Sequence, residues 1–249
     1  MIHSVVHPQT RTMHREHARR NRRAWLLMGV IIIATGVLYY SGYFSDVAWP
    51  ALLDAVMRTT IRLALAYGIA LLVGVSAALL VGWSPFADHL FPVFDILQNV
   101  PSFALIPLFI YFLGFTDQMI VLFAVSSIVW PILFAILGAI KGAHKDLNDA
   151  ATVYGATGLR RIPFYLAPLS LPAILTGSIV GIAMGWESVI GAEIIADTSG
   201  FGAFIKTASV TGINQAAVAG MLVILVIVFI VNRLVWTPLL SESSKRYAD

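Results

Sequence analysis

Two groups of residues in this 249-residue chain are of types and at spacings that could do chemistry. Asp95, Gln98, Asn99 and Ser102 fall at i, i+3, i+4 and i+7, a spacing that lines them along one helical face. Polar groups inside an apolar span are costly, so they face a cavity, a bundle interior or one another. That face reads equally well as part of a solute pathway or as a buried structural network. Trp130 and Glu187 join Gln98, Asn99 and Ser102 as pathway candidates. The second group is Glu193 and Asp197, four apart on one face, followed by Gly200 and Gly202. One reading is a solvated outer loop whose acids balance Lys206. The other is an outer gate hinged at the two glycines.

Catalytic chemistry is poorly served. The chain has no cysteine, which rules out disulfides and thiolate chemistry. His89 and His144 lie near the ends of apolar segments, and His3, His7, His14 and His17 sit in a polar tail that fixes no ligand geometry. No HExxH or GxSxG pattern is present, so a membrane-embedded enzyme has neither metal site nor nucleophile. No GxxxxGK[ST] phosphate loop occurs either. No catalytic residue and no metal ligand is assigned.

The elements that must position these residues are membrane spans. Only 12% of the residues are charged and 59% are hydrophobic, with a mean hydropathy of +0.85. A soluble domain carries about twice that charge, so this is an integral membrane protein. Charge-free windows predict six helices, at 24–45, 63–87, 96–116, 119–140, 162–186 and 207–232. Each reaches the length, about 20 residues, that crosses a hydrocarbon core, and helix is the form that satisfies its own backbone there. The first is too long for a signal-peptide core and reads as an uncleaved anchor. Pro101 bends the third, and Pro163, Pro168 and Pro172 make the start of the fifth an interfacial approach. Domains follow: a polar, basic tail at 1–23, a six-helix unit at 24–240 with a polar loop at 141–165, and a tail at 241–249.

With the N-terminus inside, thirteen of the sixteen Lys and Arg residues are cytoplasmic, leaving Arg58, Arg62 and Lys206 outside. Both termini are therefore expected in the cytoplasm. Topology also explains the net charge of +3 without a nucleic-acid partner.

Two spans carry small residues every fourth position: Ala66, Ala70, Gly74, Ala78 and Gly82, then Ala173, Gly177, Gly181 and Gly185. Such ridges let backbones approach closely, within one subunit or across a dimer seam. Ser126 and Ser127 are expected to form hydrogen bonds between helices.

The loop at 141–165 is the one long polar interruption in the second half of the chain. Asp146 or Asn148 can cap a short helix beginning near Asp149, and Gly155 and Gly158 permit the turn that ends it. Two or three helical turns have little stability alone. The helix therefore needs a partner surface, and its acids favour a protein groove over anionic lipid.

This loop resembles the cytoplasmic EAA loop of ATP-binding-cassette importer permeases: E-A-A, three residues, G, nine residues, I-x-L-P. The chain has Asp149-Ala150-Ala151, Gly155, then Tyr165-Leu166-Ala167-Pro168, with Asp for Glu, Tyr for Ile and Ala for Leu. NVPSFALIPLFIYFLGF looks like the proline-containing third-helix motif of these permeases. TTIRLALAYGIALLVGVSAALLVG and GWESVIGAEIIADTSGFG look like patterns of the nitrate/sulfonate/taurine branch. The resemblance covers roughly residues 55–235.

It implies an all-α, type I importer fold of six transmembrane helices with a cytoplasmic coupling helix, in a bacterial or archaeal inner membrane. Asp149, Ala150, Ala151, Gly155, Ala156 and Pro168 would couple to the ATPase. Partners would be two ATPase subunits, a second permease copy in a homodimer, an extracytoplasmic binding protein and the bilayer. No cofactor would sit on this chain, with ATP and magnesium on the ATPases. The solute would be small, such as nitrate, a sulfonate or taurine, although the pathway candidates include no basic residue that supports an anion site. The alternative is a secondary carrier driven by an ion gradient and coupled through Asp95, Glu187 and Glu193; no inverted internal repeat supports it.

Overall fold

A computed structural model of the chain describes residues 25–26 and 28–247. The tail at 1–23, with its arginines and histidines, lies outside the described residues. The described residues form helices and turns, with no strand among them. In chain order the helices are α1 (Met28–Tyr40), α2 (Trp49–Trp83), α3 (Ala87–Gln98), α4 (Ile106–Leu113), α5 (Asp117–Lys141) and α6 (Lys145–Val153). They continue as α7 (Ala167–Ala196), α8 (Phe201–Thr211), α9 (Asn214–Val231) and α10 (Thr237–Tyr247). Among the described residues four helical stretches are long and apolar enough to cross a membrane: Trp49–Trp83, Asp117–Lys141, Gly158–Ala196 and Asn214–Leu240. The bent pair α3 and α4 makes a fifth if counted as one span.

The axis of the bundle is α5. Thr116 caps its first turn by accepting from the Met119 amide at 3.2 Å. Asp117 and Lys141 place opposite charges at the helix ends that favour them. Met119, Ile120, Phe123, Ile128, Ile132 and Ile136 are fully buried, because α2 and α7 pack on either side. The two small-residue ridges form those contacts. A Cβ on Gly74 would lie 3.2 Å from Ile132 Cγ2, and one on Gly177 would lie 2.7 Å from the Pro131 carbonyl oxygen and 2.8 Å from Ile132 Cα. One added at Gly181 would meet Ile128 Cγ2 at 3.1 Å. Both ridges thus pack within the one chain, against a shared helix.

Several span limits differ from the sequence-based ones. The second span begins at Trp49 rather than 63, since Asp54 and Arg58 pair four residues apart at 2.8 Å and Arg62 is neutralised from elsewhere in the fold. The fifth continues to Ala196 rather than 186, so Glu187 and Glu193 are helical and not part of an outer loop. The sixth starts at Asn214, because Gly212 at φ +75° ends α8 as a separate helix. The first is represented by the 13-residue apolar helix α1. The span expected at 96–116 is two helices bent by 81° around a break at residues 99–101, at the proline expected to bend it. The fourth matches within two residues at each end.

Candidate functional site

The bundle carries a distinct polar assembly at each end of α5. At a rise of about 1.5 Å per residue the ends of α5 are about 36 Å apart.

At the Asp117 end, α2, α5, α7 and the α7–α8 turn converge on Glu193. Its carboxylate has no solvent exposure. Arg62 Nη1 donates to Glu193 Oε1 at 2.6 Å, the Gly202 amide donates to Oε2 at 2.8 Å, and the Thr59 hydroxyl lies within 2.9 Å of both oxygens. Thr59 Oγ1 in turn accepts from the Phe201 amide at 2.8 Å. Arg62 also donates to the Ser199 carbonyl, to Ser199 Oγ at 3.2 Å and to Asp117 Oδ1 at 2.5 Å. A buried carboxylate survives in apolar surroundings only when paired and hydrogen-bonded in this way. Gly200, at φ +136°, has no room for a side chain, because a Cβ would collide with the Glu193 carboxyl. One on Gly202 would strike the Ile190 carbonyl. The glycines are thus sites of close approach to Glu193. Asp197 stands apart: it ends α7 in the left-handed conformation at φ 52° and pairs with Lys206 at 3.1 Å.

At the Lys141 end, α6 stands out from the bundle with no buried residue. It starts at Lys145, earlier than the sequence suggested. His144 occupies the cap position without a side-chain hydrogen bond, so neither Asp146 nor Asn148 is the cap. Asn148 Oδ1 instead accepts from Arg161 Nη2 at 2.7 Å, tying α6 to the chain that returns toward α7. The far end closes as a Schellman turn: the Ala156 amide donates to the Ala151 carbonyl at 2.9 Å and the Gly155 amide to the Thr152 carbonyl at 3.0 Å. Gly155 takes φ +83° there, a conformation that favours glycine. Trp83 Nε1 donates to the Gly158 carbonyl at 2.9 Å, fastening the loop to the end of α2. Asp149 and Ala150 are exposed and Ala151 and Ala156 half-buried. Pro168 lies in the first turn of α7, beyond a π-helical turn at Ile162–Leu166.

The pathway candidates divide. Gln98 Nε2 donates to Asp95 Oδ1 at 2.7 Å, and Asn99 Nδ2 to the Asp95 carbonyl at 2.6 Å, all on the exposed end of α3. Ser102 is not on that face, because the break at 99–101 puts it in a separate 3-10 turn. Trp130 packs against Phe94 and Phe134, with ring centroids 6.5 and 6.4 Å away. Glu187 is an exposed carboxylate within α7. Ser126 bonds back to the Phe123 carbonyl at 2.6 Å and the buried Ser127 hydroxyl has no partner among the described residues, so neither serine joins two helices as expected. The sequence reading missed Thr59, Arg62, Asp117 and Trp83; the one local hint was an arginine at the edge of an apolar run.

Fold and polar assemblies define a multi-span membrane protein, helical throughout its described residues apart from turns, with an exposed amphipathic helix at one end and a buried charge cluster at the other. Residues 70–235 match the family model described as binding-protein-dependent transport system inner membrane component. The chain belongs to that family. It is 29% identical over 172 residues to the taurine transport system permease protein TauC of Escherichia coli, covering 69% of this chain and 62% of that one. It is 25% identical over 175 residues to the nitrate import permease protein NrtB of Leptolyngbya laminosa (70% and 63%). It is 26% identical over 174 residues to the putative aliphatic sulfonates transport permease protein SsuC of Bacillus subtilis (70% and 62%). The match thus spans about three-fifths of the length of these relatives.

Proposed function

We propose that the chain is the permease subunit of an ATP-driven importer for a small anionic or zwitterionic solute, the class for which its relatives are named. The observation that carries this is α6: a nine-residue helix, unburied, closed by Gly155 and anchored through Trp83 and Arg161, at the opposite end of α5 from the Glu193 cluster. A helix this short gains stability by docking, and its anchors make it a lever on α2 and α7. Asp149 pairs with a basic ATPase residue, Ala150, Ala151 and Ala156 fit its groove, and Pro168 sets where α7 begins. ATP and magnesium bind the two ATPase subunits, not this chain. A second copy of the permease completes the pathway, and an extracytoplasmic binding protein delivers the solute.

In this reading α1 and the α3–α4 pair bring the crossings to six, and the α6 loop and both termini are cytoplasmic. The outer gate is the α7–α8 turn held by Glu193, with Gly200 and Gly202 allowing the close approach and Asp197 held by Lys206. Gln98, Asn99, Trp130 and Glu187 line the solute route, with Ser102 across the break.

The test is solute uptake into vesicles reconstituted with the permease, its ATPase and its binding protein. ATP drives uptake by the wild type, whereas Gly155→Leu, forced into a backbone conformation about 1–2 kcal/mol unfavourable to it, abolishes uptake and ATPase retention. Uptake driven by an ion gradient in ATP-depleted vesicles, or full activity of Gly155→Leu, would refute the proposal.

A further inference from the structure

Beneath α6 lies a cavity of about 540 Å³, walled by Leu147, Ala151 and Tyr154 from the helix side and by Arg160, Phe164 and Tyr165 from the returning chain. Its chemistry is uneven. Most of the wall is apolar or aromatic, and much of that wall is open: Phe164 is 74% exposed and Tyr154 90%. Two polar groups break the pattern. The Tyr165 hydroxyl has no hydrogen-bond partner among the described residues, but its burial closes it off from the cavity. Arg160 is exposed and enters no ion pair among them. Its neighbour Arg161 is already engaged, donating to Asn148 and stacking 5.4 Å over the Tyr165 ring. The cavity therefore offers one uncommitted cation at the end of an apolar slot.

We infer that this cavity receives a carboxylate side chain of the ATPase, its methylene stem against Leu147 and Phe164 and its oxygens on the Arg160 guanidinium. The inference rests on α6 being the docking helix. An unpaired arginine and an apolar surface facing the aqueous side are both covered by such an occupant. The exposed surface of α6 is net acidic, with Asp146 and Asp149 against Lys145. The docking surface is thus bipolar, taking a base on the helix and an acid in the cavity. A partner set down the wrong way round meets like charges at both points, which is how charge patterns fix orientation and exclude other partners. An anionic lipid surface would satisfy Arg160 but supplies no base to meet the two aspartates.

The test uses the full-length permease co-expressed with its ATPase and recovered through a tag on the permease. The wild type and Arg160→Lys retain the ATPase. Arg160→Glu reduces its recovery by about tenfold, as reversal of a charge in a close pair should. One acid-to-lysine substitution on the ATPase restores binding to Arg160→Glu. Thermal melting of each permease variant alone checks folding, and Arg160→Gln replaces Arg160→Glu if the latter is misfolded. ATPase retention by the wild type and by Arg160→Glu alike would overturn the inference and leave the proposed function standing. Loss on Arg160→Glu that no acid-to-lysine substitution restores also overturns it. Failure of the wild type to hold any ATPase defeats the proposed function itself.

Discussion

Arg62 Nη1 lies 2.6 Å from Glu193 Oε1, across 131 residues of sequence, and the same guanidinium reaches Asp117 at 2.5 Å. One cation thus joins a fully buried carboxylate to one that is 74% exposed. It also holds the turn at Ser199 against α2 and α5. The two carboxylates should therefore matter very differently.

Glu193→Ala leaves Arg62 without its buried partner and is expected to cost about 3–5 kcal/mol. Asp117→Asn removes an exposed partner and is expected to cost less than about 1 kcal/mol. Thermal melting in detergent compares them, and equal losses would show that Glu193 is not the anchor.

Gly177 and Gly82 both face neighbours closely, but the neighbours differ. At Gly177 a methyl group would meet backbone atoms of Pro131 and Ile132, which cannot yield without moving α5. At Gly82 it would meet Ile140 Cδ1, the free end of a flexible side chain. Gly177→Ala is therefore expected to cost about 1–3 kcal/mol and Gly82→Ala less, measured by unfolding midpoints of the two variants.

Much of this packing was legible. A four-residue period of Ala and Gly marks a close-packed face whatever lies opposite, and Pro101 marked the bend. Gly155 was legible as a turn because few other residues tolerate its φ. The limits of α2 and α7 were not, since counting charges treats Arg62 and Glu193 as two exposed ions. Only the fold shows that they cancel. Ser102 was misplaced for the opposite reason: the i, i+7 rule assumes an unbroken helix, and the break comes three residues before it. The cavity and its uncommitted Arg160 gave no sequence signal, because a cavity between two segments has no local period.

Glu187 is exposed within α7, so neutralising it should change stability by no more than about 0.5 kcal/mol. If it lines the route of an anionic solute, removing a like charge lowers KM. A pair in largely aqueous surroundings contributes about 1 kcal/mol, or roughly fivefold in KM. Uptake kinetics of Glu187→Gln check this; an unchanged or raised KM removes Glu187 from the route.

The absence of cysteine makes single-cysteine labelling clean. A membrane-impermeant maleimide is expected to label Val210→Cys in α8 from outside intact cells. Asp149→Cys in α6 should react only after the inner face is opened. Reaction of both from one side would break the proposed topology.

The central claim is that α6 is where a separate ATPase takes hold. The most direct measurement places a photo-crosslinking residue at Ala150 or at Val210 in cells expressing the complete transporter. The account predicts a permease–ATPase adduct from position 150 and none from position 210. No ATPase adduct at 150, or one at 210, would contradict it.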